Sequence, residues 1–207
     1  NHPAVQSIEK RLIPQNRYND IYLVDKFFTW TNELIPNKFK DLTNDHPRMV
    51  IPFRDADNKI FAYQGRAFGE EQPKYITIVL DQNYKKIFGL DRLDDSRNII
   101  IVEGPIDSLF LPNCVAVAQG DLRLPQYKGK STLVFDNEPR NREIVKNIEK
   151  AVEEDYSVVV WPKYVKEKDI NDMIVGGRTN LEILDIIHKN TFSGLEAKTQ
   201  LSNWKKV

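Results

Sequence analysis

The sequence has 207 residues, 41% hydrophobic and 29% charged, with 30 Lys and Arg balanced by 30 Asp and Glu. That length can bury the core of one large domain or two small ones, and the composition is ordinary for a globular protein. No apolar run is long enough to span a bilayer, and the zero net charge lacks the basic excess usual in a dedicated duplex-DNA binder, so any nucleic acid should be bound weakly, through a local basic strip. The lone cysteine, Cys114, excludes an internal disulfide and a cysteine-rich zinc site, and fits a reducing cytoplasm. The opening Asn1-His2-Pro3-Ala4 has neither an initiator Met nor the pattern of a signal peptide, as expected of a piece of a longer protein.

In chain order, helices are predicted over residues 2–13 and 19–35. The second carries Ile21, Leu23, Val24, Phe27, Phe28 and Leu34 at roughly helical spacing. Residues 36–47, with Pro36, Asn37, Asn44, Asp45 and Pro47, read as a loop. Arg48–Phe53 and Lys59–Tyr63 then flank Asp55-Ala56-Asp57-Asn58 as the two arms of a hairpin. From about 97 the rhythm alternates: strand 98–102, helix 106–111, strands 114–118 and 132–135, helix 139–153 and strand 157–161. Ile144, Val145, Ile148, Ala151 and Val152 share one face of helix 139–153, and Pro139 suits its first turn. Gly176-Gly177 ends a helix, and terminal helices follow at 179–190 and 194–204. Continuous apolar strands alternating with amphipathic helices give an α/β fold with a parallel sheet covered on both faces. In such sheets ligands bind beyond the carboxyl ends of the strands.

Acidic groups fall at those ends. Glu103-Gly104-Pro105-Ile106-Asp107 follows the strand at 99–102, Asp136-Asn137-Glu138 follows Leu133-Val134-Phe135, and Lys168-Asp169-Ile170-Asn171-Asp172 follows the strand ending near Trp161. Residues two apart on extended chain point the same way, so Asp136 and Glu138 can face one point. A lone Asp is usually a helix cap or a surface charge. Three acidic groups at matching positions read differently, because converging carboxylates repel unless cations lie between them. Oxygen ligands without Cys or His suit magnesium or manganese rather than zinc. His2, His46 and His188 are isolated and read as surface residues. Gly65 and Gly69 lack the Lys-Ser/Thr of a phosphate loop.

A strand ending in Glu-Gly with an Asp shortly after, then a strand ending in Asp-x-Asp, resembles the Toprim signature. That signature occurs in DnaG-type primases, topoisomerases, recombination-repair proteins and some nucleases. The upstream order Arg48-Met49-Val50-Ile51-Pro52-Phe53-Arg54-Asp55, Tyr63-Gln64-Gly65-Arg66, Pro73-Lys74-Tyr75 and Phe88-Gly89-Leu90 resembles the DnaG-type primases in particular. The resemblance runs from about 48 to 177, and the stretch 168–172 is closest to the phage and mitochondrial helicase-primase version. Glu138 replaces the usual second Asp, and Pro139-Arg140-Asn141-Arg142 replaces the usual Gly-Arg sequence. Both departures suggest a divergent, phage-encoded member, and the zinc module that usually precedes this core is not in the chain.

The resemblance implies a Toprim-like Rossmannoid sheet with helices on both faces, preceded by a smaller mixed α+β subdomain. The expected division is 1–92, 93–178 and the C-terminal helices 179–207. The implied enzyme is a DNA primase, a DNA-directed RNA polymerase that makes short RNA primers on single-stranded DNA from NTPs, with two magnesium or manganese ions and no zinc in this chain. Glu103, Asp107 and Asp136 are the implied catalytic residues, and Glu103, Asp136, Glu138, Asp169 and Asp172 the implied metal ligands. Arg48, Arg54, Arg66, Lys74 and Tyr75 are candidates for template or nucleotide. For Arg48 and Arg54 plain surface solvation weighs equally, and Tyr75 also reads as a half-buried strand aromatic. A replicative helicase is the implied partner and the host cytoplasm the implied compartment, with no membrane. Two other readings stay open: a Toprim nuclease sharing the carboxylates, and a non-catalytic scaffold in a replisome.

Overall fold

The computed structural model describes residues 3–207. His2, and the first residue of the helix expected from position 2, lie outside them. The chain divides into two compact units, Asn1–Lys85 and Lys86–Val207.

The first unit contains α1 (Pro3–Lys10), a 3-10 turn at Gln15–Asp20, β1 (Tyr22–Val24), α2 (Phe27–Leu34), β2 (Arg48–Arg54), β3 (Ile60–Ala67) and β4 (Tyr75–Val79). The strands form an antiparallel sheet in the order β1-β2-β3-β4. The helix expected over 19–35 is therefore divided. Tyr22, Leu23 and Val24 pair with Val50, Met49 and Arg48 at the sheet edge, and the helix begins only at Phe27. The cause lies far along the chain: the Asp45 carboxylate accepts the backbone N–H groups of Phe28 (2.6 Å) and Thr29 (2.9 Å), which the first helical turn leaves without partners. The α2 face of the sheet holds a core of Phe27, Val50, Tyr63 and Ile78. Gly65 makes room for it, because a Cβ there would lie 2.3 Å from the Phe27 ring. The hairpin turn is closed by Asp55, which accepts from the N–H groups of Asp57 and Lys59, while Asn58 takes φ 63°.

The second unit contains β5 (Ile87–Phe88), β6 (Ile99–Val102), α3 (Pro105–Ser108), β7 (Cys114–Val117), β8 (Ser131–Val134), α4 (Arg142–Glu153), β9 (Ser157–Val159), α5 (Ile170–Val175), α6 (Asn180–Lys189), β10 (Thr191–Phe192) and α7 (Gly194–Trp204). Its sheet order is β10-β9-β8-β6-β7-β5. The middle strands β9, β8, β6 and β7 are parallel, and both edge strands run antiparallel to their neighbours. The structure thus gives a Rossmannoid sheet with helices on both sides, parallel at its centre and mixed at its edges. Every residue of β6, β7 and β8 is buried, as strands covered on both faces must be.

The pairing of β5 with β7 places residues 86–92 in the second unit rather than in the first, where they were expected. The pairing of β10 with β9 likewise ties the C-terminal helices to the same sheet. Helix α4 starts at Arg142, later than expected. Asn141 is its cap, accepting from Glu143 and Ile144 N–H, so Pro139 stands in the preceding turn. Cys114 is buried in β7, and burial pushes its thiol up, far from reactive thiolate character.

Candidate functional site

Three chain crossings at the carboxyl edge of the second sheet bring acids together. Glu103 directly follows β6, and Asp107 lies in the first turn of α3. Gly104 between them is a close-approach position, since a Cβ there would lie 2.4 Å from the Asp107 Oδ2. Asp136 follows β8 after Phe135, and Asp169 caps α5 after the chain leaves β9. Glu103, Asp107, Asp136 and Asp169 line one small crevice whose walls are Val102, Val134, Phe135, Trp161 and Ile170.

Backbone donors fix these carboxylates. Glu103 Oε1 accepts the Asp136 N–H (3.0 Å), Asp107 Oδ1 accepts the Asn171 N–H (2.9 Å), and Asp169 Oδ1 accepts the Asp172 N–H (2.7 Å). Asp107 thereby ties the start of α3 to the start of α5. Asn137, between the two acids of the β8 loop, holds the neighbouring loop. Its Nδ2 donates to the carbonyls of Val165 and Glu167 (3.1 Å each), and its own N–H donates to the Lys168 carbonyl (2.7 Å).

The apolar walls have an electrostatic consequence. Burial, with Glu103 close by and Lys168 opposing, pushes the Asp136 carboxyl up to about 7. Burial also raises Glu103, against the hydrogen bond from the Asp136 N–H, with Glu138 adding to the rise. The Lys168 ammonium stands 3.6 Å from Asp136 and 3.4 Å from Glu138, straddling the pair. Burial would lower the lysine, but the two carboxylates outweigh it and raise it.

Among the described residues no three Asp, Glu, His or Cys side chains are already arranged to chelate one ion. The donor set nevertheless fits a hard divalent cation: it is all oxygen, burial and the neighbouring Glu103 carboxylate disfavour the charge on Asp136, and a tethered cation already lies between Asp136 and Glu138. Glu138 is half-buried and reaches the cluster through the Lys168 ammonium and through its charge, which bears on Glu103 and Asp136. Asp172 does not join it: its side chain is exposed on the first turn of α5, and only its N–H takes part, as the group that Asp169 caps. Sequence reasoning missed two residues, Lys168 and Asn137. Both sit inside the quoted acidic motifs, and their neighbours were the only signal.

The five basic-strip candidates all belong to the first unit. Arg48 is a correction: it is 2% exposed, and its guanidinium donates to the carbonyls of Pro73 (3.0 Å), Gly65 (3.4 Å) and Lys74 (3.5 Å) with the Phe27 ring 5.6 Å away. It closes the sheet instead of facing solvent. Arg54 is half-buried at the hairpin end and donates to Asn58 O and the Tyr22 hydroxyl. Arg66 is buried, pairs in register with Tyr75, donates to its hydroxyl (3.2 Å), and has no carboxylate within ion-pair distance among the described residues. Lys74 is exposed, and Tyr75 is a half-buried strand residue. His46 and His188 are exposed.

No family model matches the chain. It is 35% identical over 211 residues to the DNA primase of Enterobacteria phage T4, an alignment covering 100% of this chain and 61% of the phage protein. It is 28% identical over 142 residues to the Thermotoga maritima DNA primase, covering 59% of this chain and 25% of that one. The chain thus spans less than two thirds of the curated relatives it matches. Among solved structures, the fold is shared with the RNA polymerase domain of Mycobacterium tuberculosis primase DnaG (TM-score 0.69, 16% identity, 91% of this chain and 76% of that one). It is also shared with a DnaG primase catalytic domain bound to single-stranded DNA (TM-score 0.68, 17% identity, 97% and 74%).

Proposed function

We propose that this chain, a DNA primase homologue with the fold of the DnaG-type catalytic core, polymerises ribonucleotides into short primers on a single-stranded DNA template. The observation that carries the reading is the crevice where Glu103, Asp107, Asp136 and Asp169 meet beyond the strand ends, with Glu138 joined through Lys168. Magnesium or manganese, when bound there, would neutralise the nucleotide triphosphate and activate the attacking hydroxyl.

Asp136 is the principal candidate ligand, with Asp169 and Glu138 on either side of it. Glu103, raised by burial, is placed to take up the proton of the primer 3′-hydroxyl. Asp107 positions α5 through the Asn171 N–H and so holds Asp169 in place. Arg66, buried without a carboxylate partner, is the first-unit group best suited to a phosphate, and exposed Lys74 follows it. The resemblance extends the reading to a replicative helicase as partner and the host cytoplasm as compartment. No described helix is long and apolar enough to cross a membrane.

Incubation with labelled single-stranded DNA, NTPs and manganese tests the reading. NTP-dependent appearance of short products supports it. Cutting of the DNA without synthesis would favour the nuclease that shares these carboxylates, and an inert protein would favour the scaffold.

A further inference from the structure

Beside the acids the second unit opens a separate pocket of about 270 Å³. It is lined by the buried Trp161 and Trp204 and by the exposed Lys163, Lys166 and Lys206. Both indole N–H groups are already used, Trp161 donating to the Phe135 carbonyl (2.8 Å) and Trp204 to Asn137 Oδ1 (3.1 Å). Both indoles are therefore fixed, and Trp161 lines the pocket as well as the crevice of acids. The C-terminal segment that carries Lys206 is pinned by its N–H to the Pro139 carbonyl (2.8 Å).

The three lysines are exposed, and none has a carboxylate within ion-pair distance among the described residues. The nearest loop carboxylate, Glu167, is taken by Arg178 at 3.0 Å, and Lys205 is taken by Glu149 at 2.8 Å. Lys166 Nζ donates to the Lys163 carbonyl, but in a chain of zero net charge three cations without a carboxylate partner around one pocket are a local excess. Cations without carboxylate partners around one pocket suit the repeating phosphates of a nucleic-acid strand.

We propose that this pocket is a nucleic-acid subsite, in which Lys163, Lys166 and Lys206 hold the backbone phosphates of a single strand as it passes the acids. The proposal rests on the primase reading. A strand is favoured over a free nucleotide because the lysines offer only point charges from three separate positions. The indole N–H groups and the Asn137 amide, the groups able to read a base, are all engaged within the protein.

The test is the salt dependence of binding to a fluorescent oligothymidylate, measured by anisotropy on the full chain. Each lysine that releases a counterion from a single strand contributes about 0.7 to the slope of log Kobs against log salt. The triple variant K163Q/K166Q/K206Q should lose about 2 from that slope. A control of equal charge change, K146Q/K150Q/K198Q, alters exposed lysines elsewhere and should keep the wild-type slope. Manganese binding and the thermal midpoint should stay unchanged in both. Equal slopes in the pocket variant and the wild type would overturn the subsite, as would an equal loss in the control. A fall in ATP affinity without a change of slope would assign the pocket to a free nucleotide and also overturn it. Failure of the wild type to bind the oligonucleotide at any salt would instead overturn the primase reading, and the subsite with it.

Discussion

Asp136→Asn is expected to stabilise the metal-free protein while destroying its function. The Asp136 carboxyl goes from its ordinary value of 3.8 to about 7 on folding, because burial and Glu103 disfavour its charge. At about 1.4 kcal/mol per pH unit, that gap corresponds to on the order of 4 kcal/mol against folding with the group ionised. The side chain keeps 22% of its surface exposed, so water screens part of the cost, and roughly half, about 2 kcal/mol, is a fair expectation. Because the folded value is the higher one, the stability from the neutral carboxyl is fully present below pH 3.8, falls away as pH rises to about 7, and changes no further above that. In chelator at pH 8 the variant should therefore melt higher than the wild type, by about 2–4 °C for each kcal/mol in a chain of this size. At pH 5 the gap should shrink to about a third. Magnesium at pH 8 should raise the wild-type midpoint, by binding only the folded state, and leave the variant almost unmoved. The assay is a thermal melt by circular dichroism at both pH values with and without magnesium. A variant less stable than the wild type at pH 8, a gap independent of pH, or equal stabilisation of both by magnesium would refute the reasoning.

Lys168→Met removes the cation that competes with metal for Asp136 and Glu138, so the manganese concentration giving half-maximal binding in an electron-paramagnetic titration should fall several-fold; a rise would assign Lys168 to supporting the ion. Arg48→Ala removes the guanidinium donor of the Pro73 carbonyl and the longer contacts to Gly65 and Lys74, of which Lys74 keeps the Ala67 N–H, and should cost roughly 1–3 kcal/mol of stability in a denaturant melt. An unchanged midpoint would return Arg48 to the surface. Asp107→Asn, which keeps an acceptor for the Asn171 N–H, should retain much more primer synthesis than Asp107→Ala. Equal losses in the two would make the charge at Asp107, rather than its hold on α5, the thing that matters.

The parts of this fold that were legible in the sequence are those whose partners are local or whose environment is uniform. Ile99–Val102 is all apolar because both faces of its sheet are covered, and such a run reads as a buried strand wherever it occurs. Glu103 and Asp136 were legible because the first stands directly after such a strand and the second is separated from the end of another only by Phe135. What was not legible depended on distant residues. The start of α2 is set by Asp45, 17 positions beyond Phe28, and β1 exists because β2 offers an edge, so a stripe with helical spacing was divided by tertiary pairing. The edge strands β5 and β10 are two residues each, too short to show alternation. Arg48 misled because a charged side chain is normally outside, and only the folded hairpin supplies the three carbonyls that let it be buried. Asp172 matched a motif, but a helix start turns its side chain outward while Asp169 accepts its N–H.

The most direct test of the site is anomalous diffraction from crystals soaked in manganese and a nucleoside triphosphate. The expected result is a peak within about 2.2 Å of Asp136 oxygens, a normal distance for a hard divalent ion, with Glu103, Glu138 or Asp169 completing its shell and the triphosphate on its open side. Asp136 and Glu138 left without an ion at millimolar manganese, still bridged by Lys168, would contradict the assignment of these carboxylates to nucleotidyl transfer.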